Sequence, residues 1–78
     1  MNIKTWHTIG IEQRKEYVKS LSDEAFQVHL VNLHRMLAEV VMLLDLAKQV
    51  GSQRAVTLAQ DELDLNISII EFFVNNRA

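Results

Sequence analysis

The stretch LVNLHRMLAEVVMLLDLAKQVGS, residues 30–52, decides the fold. Within it Leu30, Leu33, Leu37, Val40, Leu44 and Ala47 recur at alternating steps of three and four. This is the heptad pattern by which one helix lays a continuous apolar seam on another. Gly51 ends the run with a residue that enters the left-handed region without steric cost, and Ser52 directly after it is a side-chain cap for a following helix. Upstream, Ser22 is a cap for the same long helix, and Asp23 and Glu24 place negative charge in its first turn, where the helix dipole favours it. The pattern predicts a helix over about 23–50.

Downstream of the turn, Val56, Ala59, Leu63, Ile67, Ile70 and Val74 form an apolar stripe that predicts a second long helix over about 53–75, with Arg77 suited to its C-terminal end. Two such helices joined at Gly51-Ser52 make an antiparallel hairpin, each arm about 35–40 Å long. A shorter helix over about 9–20 precedes them, with Thr8 as its expected cap. The expected fold is thus all-α and one domain over 1–78, a short N-terminal helix plus a long antiparallel hairpin.

The hairpin carries more apolar surface than its seam uses. Met36, Leu43 and Val50 form a second row spaced by sevens, and Val28, Val31, Met42 and Leu46 fall on the side away from the seam. The last helix adds Leu58, Leu65, Ile69 and Phe72. A helix apolar nearly all round is a buried helix, and soluble monomers seldom expose apolar patches larger than a few hundred Å². A chain of 78 residues also buries a modest share of its surface, about 60%. With no cysteine there is no disulfide to compensate. The expectation is a homo-oligomer, a dimer of hairpins resembling a four-helix bundle; the rival arrangement is a monomer whose first helix covers the surplus.

Composition excludes more than it identifies. The net charge of −2 argues against binding a polyanion non-specifically. No stretch of eighteen apolar residues spans a bilayer, no secretory signal pattern opens the chain, and a cytoplasmic location is expected. No Gly-rich phosphate loop, Gly-x-Ser-x-Gly elbow or Cys/His pair is present, so no enzyme and no cofactor are expected. His29 and His34 lie about 140° apart on a helix and cannot share a metal. Asp61, Asp64 and Glu71 share a polar face that reads as solvated.

Charge is uneven: Lys4, Arg14, Lys15 and Lys19 gather in the first twenty residues while the remainder is acidic, which predicts that the basic segment folds onto the acidic body. The stretch from Ala59 to Asp64 is similar in part to the Ser-Gln-x-Leu-Asp element of helical-hairpin phosphatases of aspartyl phosphate, but lacks the serine. The short-helix-plus-hairpin plan, with Leu21-Ser22-Asp23-Glu24 opening its long helix, resembles small phage proteins that sequester cyclic nucleotides, though the polar residues differ. Neither likeness assigns a family.

The function expected is that of a small non-enzymatic regulator or inhibitor that binds another protein stoichiometrically through helix faces. Mobile-element inhibitors, antitoxin-like factors and chaperones share this economy. Candidate anchors are Trp6, Tyr17, Phe72 and Phe73, since aromatic side chains dominate interface energetics; core membership is the rival reading for each, and the stronger one for Phe73. One alternative is an oligomer that grips a small anionic ligand such as a nucleotide between subunits with Arg35, Arg54 or the first helix's lysines. A second is a nucleic-acid-binding regulator using Arg14, Lys15 and Lys19.

Overall fold

The computed structural model describes residues 3–77, with side chains from Thr5 onward. Four helices follow one another: α1 (Ile3–Thr8), α2 (Ile11–Ser20), α3 (Asp23–Val50) and α4 (Gln53–Arg77). Among the described residues there is no strand. The N-terminal segment is therefore two short helices where one was expected. Thr8 does not cap α2: it closes α1, its hydroxyl donating to the Thr5 carbonyl at 2.8 Å. Gly10 takes the N-cap position of α2 without a side-chain cap, and its carbonyl accepts from the Arg14 amide at 3.1 Å.

The two long helices end where local chemistry directs. At the start of α3 the Ser22 hydroxyl accepts from the Ala25 amide at 3.1 Å. At its end Gly51 adopts φ 79°, ψ 20°, and its N–H reaches the carbonyls of Ala47 and Lys48. Any other L-residue at that φ would be strained. Ser52 then caps α4 by accepting from the Ala55 amide at 3.3 Å. α3 and α4 pack along each other as an antiparallel pair, and α2 packs against α4.

On α3 the seam lies where the periodicity puts it, extended by the buried Phe26 and including the buried Leu44 and Ala47. On α4 it departs from expectation. Continuing steps of three and four from Val56, Ala59 and Leu63 leads to Asn66, Ile70 and Phe73, and Asn66 and Phe73 are buried. Ile67 and Val74, one position further on, are exposed. A polar side chain thus occupies the seam. Asn66 is 2% exposed; its Nδ2 donates to the Glu62 carbonyl at 2.8 Å, and its Oδ1 has no partner.

The core gathers at the end of the hairpin remote from Gly51. Trp6, Val18, Phe26, Ile69 and Phe73 form it, with Tyr17, Leu21, Leu30, Leu33, Leu65 and Phe72 packed around them. Arg77 ties this end together. Its guanidinium donates to the carbonyls of Val18, Lys19 and Leu21, which α2 leaves free at its C-terminus, and to Asp23 Oδ1 at 2.7 Å. It also lies 5.2 Å from the Phe26 ring centroid. One cation thereby caps α2 and fixes the C-terminus of α4 to the α2–α3 junction.

Two stability measurements check this account. Replacing Asn66 by leucine removes an unpartnered buried acceptor and is expected to raise stability by about 1–2 kcal/mol in denaturant titration. A loss would show that Oδ1 is satisfied in solution. Arg77→Met is expected to cost about 1.5–3 kcal/mol through its charge-assisted bonds to carbonyls. Asp23→Asn should cost less than about 1 kcal/mol, because the Asp23 side chain is 99% exposed. Equal losses would locate the stabilisation in the ion pair instead.

Candidate functional site

α3 and α4 form a groove along one side of their seam, bounded by two rows spaced by sevens: His29, Met36, Leu43 and Val50 on α3, and Leu58, Leu65 and Phe72 on α4. The two ends of this groove differ. At the core end α1 and α2 fill it. The Trp6 ring, 6% exposed, meets Phe72 edge-on with centroids 5.4 Å apart and Phe73 at 5.2 Å. Tyr17 packs edge-on to Trp6 at 6.3 Å, and its hydroxyl shares a hydrogen bond of 2.9 Å with His29 Nε2. What remains there is a cleft of about 130 Å³ between Trp6, His29, Met36 and Ile69.

Toward the turn no described residue covers the groove. Val40, Leu43 and Ala47 from α3 face Ala55, Leu58, Ala59 and Glu62 from α4 across a volume of about 440 Å³. The rows register the difference: Met36, Leu65 and Phe72 are half-buried, while Leu43 and Leu58 are 59% and 58% exposed and Val50 is 75% exposed. Small side chains on both walls, Ala47, Ala55 and Ala59, allow an incoming group to approach the backbone. The volume falls in the range of ligand pockets, about 300–1,000 Å³, but such pockets carry convergent polar groups and this one has a single carboxylate at its rim. Its lining suits a row of apolar side chains.

The residues singled out from the sequence divide between those engaged within the chain and those left exposed. Trp6 is a core residue and cannot serve as a surface anchor. Phe72 and Tyr17 are half-buried against it. Arg14 is likewise engaged: its Nε donates to the Trp6 carbonyl at 2.9 Å, and its guanidinium lies 5.4 Å from the Trp6 ring centroid. Lys15 pairs with Glu12 at 3.7 Å, one turn along the same helix. Lys19, Arg35 and Arg54 are exposed. Arg35 stands about 24 Å of helix from the turn, and Arg54 begins α4, so a single chain does not gather these arginines into an anion site.

Nor do ion pairs fold the basic segment onto the acidic body. Among the described residues the pairs are Lys15–Glu12 and Arg77–Asp23, and neither makes that connection. The N-terminal segment docks through Trp6 and Val18 instead. The carboxylates Asp61, Asp64 and Glu71 are exposed, with Gln60 Nε2 donating to Asp64 Oδ1 at 3.1 Å. Among the described residues no three His, Asp or Glu side chains converge as a metal site, and no helix is long and apolar enough to cross a membrane.

The tip groove itself was not singled out from the sequence, although the sevenfold rows of both helices mark its walls. With the geometry in place, comparison with family models, curated proteins and solved structures yields no match.

Proposed function

We propose that the protein is a non-catalytic binding protein, a regulator or inhibitor acting by stoichiometric association, whose working surface is the open groove at the hairpin tip. The observation that carries this reading is the unequal filling of one groove. At one end Trp6 and Val18 occupy it, and at the other Leu43, Leu58 and Val50 stay exposed around an apolar trough. Exposed apolar surface in a groove of this shape is what helix-in-groove recognition uses, the guest supplying apolar anchors at i, i+3 or i+4, and i+7.

The guest is accordingly an amphipathic helix of another protein. The alanines on both walls admit branched or long aliphatic anchors, and Glu62 at the rim favours a lysine or arginine on the guest's flank.

Affinity capture from the native host, run in parallel with wild type and Leu58→Lys, tests the proposal. Leu58 is exposed, so the variant should keep its helical circular dichroism. The expected outcome is one protein recovered in fixed molar ratio with wild type and lost with the variant. Equal recovery by both proteins would reject the groove. Recovery of no protein, together with stabilisation by several degrees on adding a nucleotide, would favour ligand sequestration.

A further inference from the structure

The face of α3 turned away from α4 carries a stripe that no described residue packs over: Val28, Arg35, Glu39, Met42 and Leu46 are exposed, with Val31 beside them, and Asn32, also exposed, stands at its edge where it lines the cleft beside Trp6. These residues advance by alternating steps of four and three, a second heptad seam on the back of the helix. About Leu37 the stripe matches itself in charge at its centre and in apolar character at its ends. Two residues to either side stand Arg35 and Glu39, five to either side Asn32 and Met42, nine to either side Val28 and Leu46.

We infer that this face pairs with a second copy of the chain, α3 against α3 and antiparallel, with a twofold axis passing level with Leu37. In that register Val28 meets Leu46 of the second copy, Asn32 lies level with its Met42, and Arg35 faces its Glu39. An isologous interface repeats every such pair, so both copies of Arg35 and Glu39 are matched. Within one chain neither Arg35 nor Glu39 takes part in an ion pair among the described residues. The parallel alternative is disfavoured by charge, since it would stack Arg35 on Arg35 and Glu39 on Glu39. Antiparallel packing also opposes the two helix dipoles favourably.

The resulting assembly is a layer, α4–α3–α3–α4, with the two α3 helices at its centre. It differs from a bundle around a common core, and it leaves the Leu58 wall of each tip groove free. The inference stands apart from the guest-helix reading, because Leu58 and Glu62 lie on α4 and the stripe lies on the far face of α3.

The test combines solution mass with cross-linking. Light scattering over a dilution series should give twice the 9.0 kDa chain mass. Arg35→Glu and Glu39→Arg should each raise the dimer dissociation constant about tenfold or more through like-charge contact. The double swap should restore dimerisation while circular dichroism stays unchanged throughout. Because the chain has no cysteine, single thiols report the register. A mixture of Val28→Cys and Leu46→Cys proteins should be joined by a short bismaleimide. Val28→Cys alone should not, its two copies lying about 27 Å apart along the helices. A monomer at every concentration would overturn the inference. So would a dimer indifferent to charge reversal, or cross-linking of Val28→Cys to itself.

Discussion

The rest of the molecule depends on the seam between α3 and α4. A two-helix seam closed by a tight Gly51-Ser52 turn fixes the register of every layer from the turn outward, and with it the phase of every other stripe on both helices. Once the seam buries Leu44, Ala47 and Phe73, the rows through Leu43 and Leu58 must form the walls of a groove, and the row through Val28 and Leu46 must face away. Each apolar side chain left in water forgoes about 1.5–3 kcal/mol of burial. The chain recovers that stabilisation at one end only, where α1 and α2 bring Trp6 and Val18 into the groove and Arg77 locks the C-termini of α2 and α4 together.

The long helices were legible because their ends are set locally. Ser22, Gly51 and Ser52 act on amides and carbonyls within four residues, and such chemistry can be read without knowing the tertiary fold. The seam of α4 was harder to read. Hydrophobicity favoured Ile67 and Val74, but packing follows geometry, and the phase set by Val56 and Ala59 leads to Asn66 and Phe73. An asparagine in a seam sacrifices stability and helps fix register, which apolar scoring cannot anticipate. α1 was missed for a related reason. Six residues with no acidic first turn are a weak helix by themselves, and Trp6 holds them through contacts with Phe72 and Phe73, more than sixty residues away in sequence.

Trp6, Arg14, Tyr17 and Phe72 are engaged within the chain, while Lys19, Arg35 and Arg54 stay exposed. Arg14 serves the Trp6 carbonyl and ring, Tyr17 shares a hydrogen bond with His29, and Trp6 is the centre of the core. This shifts the functional argument from charged groups to the apolar surfaces they leave uncovered. The tip groove and the back of α3 are two such surfaces, and they differ in character. The groove has small side chains and a single carboxylate, suited to a foreign helix. The back of α3 carries Arg35 and Glu39 in self-complementary order, suited to a copy of itself.

The central claim is that the apolar surface on the back of α3 is satisfied only by association with a second copy of the chain. The concentration dependence of thermal unfolding tests it most directly, because a native state that gains a partner is stabilised by mass action. The account predicts a midpoint that rises steadily as protein concentration increases from the low micromolar range upward. A midpoint independent of concentration, with a monomeric mass throughout, would contradict it.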